Sequence, residues 1–231
     1  MTETPLPKDA AYNPICTVDA VLLTIEGDCL KVLLHRRPKA PFEGCWALVG
    51  GYIHRDEDQG VLEAVQRILR DKAGLPALHL EQLQTYSGPK RDPRGWSVSV
   101  AHLGLVPRAQ LELPQDPDVL LTDVEELPEL AFDHRTILDD AVARLRGKSA
   151  YSTLPASFLD ALFTLPELHR AYEIVLGVKL DPSSFRRKAL DRGMIEDSGE
   201  MRTDGSRRPA KLYRLCAPAQ TFDQTFAPQQ W

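Results

Sequence analysis

Cysteine is scarce in this sequence, and no apolar run is long enough to cross a membrane. The four cysteines (Cys16, Cys29, Cys45 and Cys216) are far apart, form no CxxC pair and have few histidines nearby. We therefore expect free thiols in a reducing cytoplasm and no structural zinc site. A membrane-spanning helix needs about 20 consecutive apolar residues, and no such run occurs. The first 14 residues lack the basic and apolar regions of a signal peptide and are expected to form a flexible lead-in.

Acidic residues outnumber basic ones overall, but not in every part of the chain. The formal net charge is -5 over 231 residues. Residues 1–150 contain 17 Lys and Arg against 23 Asp and Glu, whereas residues 170–215 contain 11 against 7. Contact with nucleic-acid phosphates requires a local basic segment of this kind. The asymmetry indicates that two parts of the chain have different functions.

Runs of β-forming residues predict a sheet in the first half of the chain. Residues 15–25 and 30–35 are separated by a turn that contains Gly27, which predicts a hairpin. Residues 78–87 and 97–107 predict two further strands, the second of them with strong alternation.

Between these strand pairs, residues 50–75 combine a glycine pair, an acidic loop and an amphipathic helix. Apolar residues recur at helical spacing from Val61 to Leu69, so one helix face should be buried. Gly74 follows them and suits a helix C-cap, because glycine adopts a left-handed backbone at little cost. The segment resembles the Nudix box, which in its family holds magnesium for the hydrolysis of nucleoside diphosphates linked to another group.

The box retains the frame of the family pattern but not its carboxylates. When the pattern is anchored on Arg67 and Gly74, three glutamate positions fall at Ile68, Asp71 and Lys72. Residues at this spacing share one helix face, where three carboxylates would converge on a cation. Magnesium requires hard oxygen ligands, which neither a hydrocarbon nor an ammonium group supplies. No catalytic residue and no metal ligand is therefore predicted.

The loop before the helix is two residues longer than the family pattern. The outer glutamate of the pattern consequently falls on Gln59 or is retained as Glu57, depending on where the extra residues lie. We adopt a Nudix fold without catalysis as the interpretation. The alternatives are an active hydrolase with an unusual box and a plain amphipathic helix after a loop.

Two further segments are candidates for a ligand site. The loop at residues 88–96 carries Arg91, Asp92 and Arg94. It is either a solvated turn or a phosphate-binding element, because an aspartate can orient neighbouring arginines and arginine suits bidentate phosphate contact. Trp46 is expected to be partly in the core, although its ring could also form the floor of a nucleotide pocket.

The end of the first domain is predicted from proline content and a change of periodicity. Residues 114–128 are acidic, contain three prolines and are expected to form a connection. An amphipathic helix is predicted over residues 132–148, ending at Gly147. The pattern breaks at residues 148–155, which places the domain boundary there.

The chain beyond this boundary has helical periodicity, with helices predicted over residues 155–165, 166–177 and 181–193. Proline begins the first two and is tolerated in the first turn of a helix; Asp181 suits the N-cap of the third. The last two helices have the spacing of a helix-turn-helix. Short strands predicted at residues 194–196 and 211–215 would form a wing with a basic tip.

A cationic helix followed by a basic wing favours DNA as the partner. Such a helix fits the major groove while cations of the wing contact phosphate. The alternative is a helical cap, for instance a dimerisation domain, with solvated charges.

Taken together, the chain resembles the NrtR family of bacterial Nudix-related regulators of NAD metabolism, from about residue 15 to 216. The resemblance is carried by the degenerate box and by the segments KRDPRGWSVSVAH, YEIVLGVKLDPSSFRRKALDRGMIEDSG and RRPAKLYRL. It implies an α+β chain: a Nudix-type α/β/α sandwich with a mixed sheet over residues 15–150, then a winged helix-turn-helix over residues 151–217. Residues 218–231 would be a tail.

The resemblance also implies a function. A dimeric repressor of NAD biosynthesis or salvage genes would bind a pseudo-palindromic operator and sense ADP-ribose or a related nucleotide, with no required cofactor. The alternatives are an active ADP-ribose pyrophosphatase with an appended helical domain and a relative that senses sugars and regulates sugar catabolism.

Roles for individual residues follow from the same resemblance. The effector contacts would be Arg36, Arg37, Trp46, Arg91, Asp92 and Arg94. The helix contacts to DNA would be Ser183, Ser184, Arg186, Arg187 and Lys188. The wing contacts to phosphate would be Arg202, Thr203, Arg207, Arg208 and Lys211.

Overall fold

A mixed β-sheet forms the centre of the first part of the chain. The computed structural model describes residues 13–75, 79–111, 116–203, 209–217 and 221, and within these ranges the sheet has seven strands. They are β1 (Ile15–Glu26), β2 (Cys29–Arg36), β3 (Trp46–Ala47), β4 (Val49–Tyr52), β5 (His79–Gly88), β6 (Ser97–Leu105) and β7 (Val119–Asp123).

The other strands are assembled on β1. Residues 15–23 pair in parallel with β6, whose other edge pairs with β5 in antiparallel orientation. The opposite edge of β1 is divided between two antiparallel partners, β4 and β2. β2 in turn pairs with β3 and β7. This division of one strand edge places the glycine pair of β4 beside β1, with Gly50 opposite Asp19.

Helices cover both faces of this sheet. They are α1 (Val61–Ala73) and α2 (His134–Ser149). Side chains alternate along a strand, so Val18 and Leu22 of β1 pack in the core beneath α1, whereas Val21 and Leu23 pack in the core beneath α2. The predicted α/β/α sandwich with a mixed sheet is confirmed. In the described parts of the chain, no helix is both long and apolar enough to span a bilayer.

The C-terminal part forms a winged helix. Its elements are β8 (Phe163–Thr164), α3 (Leu165–Leu176), α4 (Pro182–Asp191), β9 (Ile195–Arg202) and β10 (Ala210–Leu215), with β10 between β8 and β9 in the sheet. Gly177 ends α3 in a left-handed conformation with a φ of 66°, and the carboxylate of Asp181 accepts the N–H of Ser184 at 2.8 Å. Both helix boundaries agree with the sequence-based prediction.

Two predictions for the first part were wrong. Residues 119–123, expected in a connection, form β7. The segment contains no proline itself, so its N–H groups are available to pair with β2. The helix α2 does not end at Gly147 but continues to Ser149. Leu145 and Ser149 are both buried, and residues four apart share a helix face, so packing holds the helix beyond the glycine.

Two predictions for the second part were also wrong. In place of a helix over residues 155–165 there is a short 3-10 segment, Leu154–Phe158, because Phe163 and Thr164 pair with β10 instead. The first wing strand continues past residue 196 to Arg202, since its ladder with β10 extends that far.

The helix α3 contributes side chains to both cores. Leu168 and Tyr172 belong to the core of the winged helix, whereas Val175 and Ile174 pack in the core beneath α2. The buried hydroxyl of Tyr172 donates to the carbonyl oxygen of Ser152 at 2.7 Å. A displacement of α3 would therefore disturb packing in both parts of the chain.

The N-terminus of α3 provides a test of local stability. Thr164 Oγ1 accepts the N–H of Glu167 at 3.3 Å, and the Glu167 carboxylate accepts the N–H of Thr164 at 2.7 Å. This capping box satisfies two donors that the helix itself leaves unpaired. We expect Thr164→Ala to lower the free energy of unfolding by about 1 kcal/mol, measured by equilibrium urea denaturation. Thr164→Ser retains the hydroxyl and is the control; an equal loss in both variants would contradict the capping role.

Candidate functional site

A cavity of about 280 Å³ opens where the glycine pair of β4 meets β1 and α1. Its wall also includes the end of β2, the loop at residues 88–96 and the start of α2. Cationic side chains are numerous in this wall: Arg37, Lys39, Lys72, Arg91 and Arg94. The acidic side chains are Asp19 and Asp92.

A buried carboxylate lies at the floor of the cavity. Asp19 is 6% exposed, and its Oδ2 accepts a hydrogen bond from Ser99 Oγ at 2.5 Å. Its Oδ1 lies 3.6 Å from Nε2 of His134. The backbone N–H of Leu48 donates to Nδ1 of His134 at 3.0 Å, so the proton of the neutral ring belongs on Nε2, facing Asp19. Burial lowers the pKa of His134, which keeps the ring neutral.

Gly50 allows β4 to approach this carboxylate. A Cβ at Gly50 would lie 1.9 Å from Oδ1 of Asp19 and 2.8 Å from the carbonyl oxygen of Val18. No real side chain tolerates the second of these contacts, because the backbone of β1 cannot move away independently of the sheet. The position therefore requires glycine for close approach.

Two cationic side chains of the wall donate hydrogen bonds to main-chain carbonyl oxygens, and to no side chain among the described residues. Arg37 Nε donates to the carbonyl oxygen of Pro41 at 2.8 Å, and its guanidinium lies 4.6 Å above the ring of Phe132. Lys72 Nζ donates to the carbonyl oxygen of Gly50 at 2.5 Å. Burial lowers the pKa of both groups; Asp92 and Asp19 oppose the shift of Arg37, and Asp19 opposes that of Lys72. Positive charges held without a paired carboxylate suit an anionic ligand.

The loop at residues 88–96 is held by two arginine–aspartate pairs. Asp92 accepts hydrogen bonds from Nε and Nη2 of Arg94 at 3.0 and 2.6 Å. Burial alone would raise the pKa of Asp92, but the hydrogen bonds from Arg94 outweigh it and hold the pKa below its ordinary value. Arg94 also contacts the hydroxyl of Tyr52. Arg91 binds both carboxylate oxygens of Asp133 at 3.0 and 2.9 Å. The loop is thus a rigid part of the wall.

The structure brings together four of the six predicted effector residues. Arg37, Arg91, Asp92 and Arg94 line the cavity. Arg36 and Trp46 do not: the guanidinium of Arg36 stacks 4.7 Å above the ring of Trp46 and lies 3.4 Å from Asp118.

Sequence reasoning did not identify Asp19, His35 and His134 as cavity residues. Asp19 is a carboxylate that stands between apolar residues, in the run VDAVLL of β1, which is a signal that could have identified it. The two histidines carry no motif. Burial lowers the pKa of His35 to about 4, so at neutral pH both rings add polarity without charge.

The helix of the box does not present a set of magnesium ligands. Ile68 is 3% exposed, and its side chain packs against Gly51. The ammonium group of Lys72 donates a hydrogen bond to the carbonyl oxygen of Gly50, where it would repel a metal ion. Glu57 and Gln59 are exposed, and no group of three or more potential ligands occurs in the described residues. Magnesium requires several oxygen ligands at about 2.1 Å, so the residues present do not fit this ion.

The frame of the box is instead stabilised by its arginine. Arg67 binds both oxygens of Asp58 at 2.8 Å and donates to the carbonyl oxygen of Tyr52 at 3.0 Å. The hydrogen bonds from Arg67 lower the pKa of Asp58 to about 2. These contacts fix the acidic loop between β4 and α1.

The exposed face of α4 carries two arginines. Phe185 and Ala189 are buried in the core of the winged helix, which directs Arg186 and Arg187 to solvent. Neither arginine forms an ion pair with a described residue. The remaining predicted residues of this helix are Ser183, which is exposed, and Ser184 and Lys188, which are half-buried.

Two cations of the wing, unlike the arginines of α4, form ion pairs with acidic residues. Arg202 Nη1 lies 2.5 Å from Glu167 at the start of α3, and Nη2 donates to the carbonyl oxygen of Leu162 at 3.2 Å. Lys211 lies 2.5 Å from Asp197 across the wing. Thr203 is exposed directly after β9. Arg207 and Arg208 lie outside the described residues.

Comparison with known proteins identifies both parts of the chain. The family model of the NrtR DNA-binding winged helix domain matches residues 155–215, and that of the NUDIX domain matches residues 16–141. The ADPR responsive transcriptional repressor NtrR of Acinetobacter baylyi is 35% identical over 218 residues, which are 93% of this chain and 86% of that protein.

Two further relatives bear on the two parts. The ADP-ribose pyrophosphatase of Methanocaldococcus jannaschii is 38% identical over 129 residues, which are 55% of this chain and 73% of that protein. The crystal structure of Shewanella oneidensis NrtR complexed with a 27mer DNA has a TM-score of 0.81 and 36% identity, and the match covers 92% of this chain and 99% of that one. The chain therefore belongs to the NrtR family, with a Nudix domain joined to a winged helix DNA-binding domain.

Proposed function

We propose that this chain is an ADP-ribose-responsive transcriptional repressor that binds operator DNA and does not hydrolyse its effector. The observation that carries the proposal is that one chain joins a cation-lined cavity to a winged helix whose α4 exposes Arg186 and Arg187, neither of which forms an ion pair with a described residue. The similarity to a repressor described as ADPR responsive extends over both parts. The genes regulated would be those of NAD biosynthesis or salvage.

The cavity supports a diphosphate-containing effector. Arg37 offers a guanidinium without a carboxylate partner in the described residues, while Asp92 orients Arg94 beside it. Arginine binds phosphate oxygens in a bidentate manner. ADP-ribose supplies two phosphates and two ribose groups, which suits a wall that combines cations with neutral polar side chains. Arg36 and Trp46 lie outside the cavity, so this proposal does not include the effector contacts predicted for them, and the Arg36 variant described below tests that prediction.

The winged helix supports binding to duplex DNA. A helix that exposes two arginines can enter the major groove, while the wing contacts phosphate. A two-fold dimer would place two such helices on half-sites separated by the helical repeat, so the operator would be pseudo-palindromic. Since operator DNA lies in the bacterial cytoplasm, the protein would act there.

The shared helix α3 offers a route by which effector binding changes DNA binding. Its Ile174 and Val175 pack in the Nudix core, and Arg170 forms an ion pair with Asp28 in the turn between β1 and β2. The same helix contributes Leu168 to the winged helix core. An effector that favours one placement of α3 would shift the population of DNA-binding dimers.

DNA binding can be tested on α4. We expect the double substitution Arg186→Ala and Arg187→Ala to weaken binding to the operator by about 10- to 100-fold and to reduce the slope of log affinity against log salt, because two cations no longer displace counterions. Fluorescence anisotropy over a salt series measures both quantities. The control is Arg55→Ala with Arg70→Ala, which removes two exposed arginines from the Nudix domain. An equal loss in the control would contradict the assignment to α4.

The effector site can be tested with two adjacent arginines. ADP-ribose at 100 times its dissociation constant should stabilise the native protein by about 2.7 kcal/mol, observed as a rise in melting temperature. Arg37→Gln should abolish most of this rise, because Arg37 lines the cavity. Arg36→Gln is the matched control and should retain it. If Arg36→Gln lost the rise in melting temperature and Arg37→Gln retained it, the effector would bind outside this cavity.

The absence of hydrolysis can be tested directly. We expect no AMP from millimolar ADP-ribose with magnesium or manganese, because Ile68 and Lys72 replace two carboxylates of the box and magnesium requires oxygen ligands. Product analysis by chromatography is the measurement. Metal-dependent release of AMP that Asp71→Asn abolishes would instead show an active pyrophosphatase, the function of the methanogen relative.

A further inference from the structure

Lys72 is a cation of the cavity wall that also contacts the backbone of β4. Its ammonium lies 2.5 Å from the carbonyl oxygen of Gly50 and 3.8 Å from the place that a Cβ on Gly51 would take. It is therefore held against the backbone of β4, between α1 and the cavity that it lines. On the same helix face, Ile68 fills the space beside Gly51 with hydrocarbon.

The hydrogen-bonding capacity of this ammonium is only partly used. A lysine ammonium has three N–H donors, and the carbonyl oxygen of Gly50 accepts one of them. No other acceptor for Lys72 is found in the described parts of the chain. The remaining donors are available to a ligand with oxygen acceptors in the cavity.

The charges around Lys72 favour an anion. Burial lowers the pKa of the Lys72 ammonium, and charge repulsion from Arg37 and Arg67 lowers it further, although Lys72 as a whole residue is exposed. Asp19 opposes this shift from the floor of the cavity. Two cations that repel each other are both stabilised when a group with two negative charges binds between them.

We infer that the Lys72 ammonium takes the place of the divalent cation of a Nudix site and binds the diphosphate of the effector directly, so that effector binding requires no metal. The inference rests on the proposed ADP-ribose-responsive function and adds the residue that recognises the diphosphate. It also accounts for the two substitutions in the box together. Ile68 removes an oxygen ligand that a metal would need, and Lys72 supplies a positive charge within the protein itself.

The test is calorimetric titration of ADP-ribose into the full-length protein, once with EDTA and once with millimolar magnesium. We expect the wild-type dissociation constant to agree within about twofold between the two conditions. Lys72→Met should weaken binding by at least about tenfold in both, as expected for the loss of a hydrogen bond between charged groups. Lys72→Arg keeps the charge and should bind within a few-fold of wild type.

The control is Arg70→Met, which removes a cation from the exposed face of the same helix and should leave the dissociation constant unchanged. A wild-type protein that binds ADP-ribose only with magnesium, or a Lys72→Met variant that binds like wild type, would overturn this inference and leave the proposed function in place. Absence of any binding by the folded wild type would overturn the proposed function, and this inference with it.

Discussion

The buried carboxylate of Asp19 is the constraint around which the Nudix domain is arranged. A charge removed from water is costly unless hydrogen bonds and opposite charge compensate it. Ser99 on β6 donates to one oxygen and His134 on α2 faces the other, while the positive charge of Lys72 comes from α1. One side chain on the central strand thus requires partners from both helix layers and from a neighbouring strand.

The carboxylate of Asp19 also restricts which residues can occupy the positions around it. Gly50 must lack a Cβ because β4 passes directly over Oδ1 of Asp19, and this approach brings the Gly50 carbonyl oxygen within reach of Lys72. Burial keeps His134 neutral, so the floor of the cavity carries one negative charge and no competing histidine cation. The cations of the wall that have no carboxylate partner in the described parts of the chain are then Arg37, Lys39 and Lys72.

Local signals in the sequence predict much of the fold, whereas contacts between distant residues do not follow from them. The caps at Gly74, Gly177 and Asp181 could be predicted because each depends on one residue and its own backbone. The strand β7 could not, because its pairing partner β2 lies more than 80 residues earlier. The arginines of residues 88–96 were predicted as a ligand element from their chemistry. Asp19 and His134 meet only after folding, through the register of β1 and the position of α2.

The box keeps the helix of the Nudix fold although two glutamate positions of the family pattern hold an apolar and a basic side chain. Ile68 is buried and extends the apolar face of α1, so replacement of a carboxylate at this position adds to the core that a metal site would have interrupted. Lys72 keeps a positive charge beside the Gly50 carbonyl oxygen. A sensor can shift an equilibrium only by its differential affinity for two states, and a sensor that hydrolysed its ligand would consume the signal that it reports. In the proposed function, the changes at Ile68 and Lys72 therefore serve the same end: they remove turnover and preserve the charge that holds the effector.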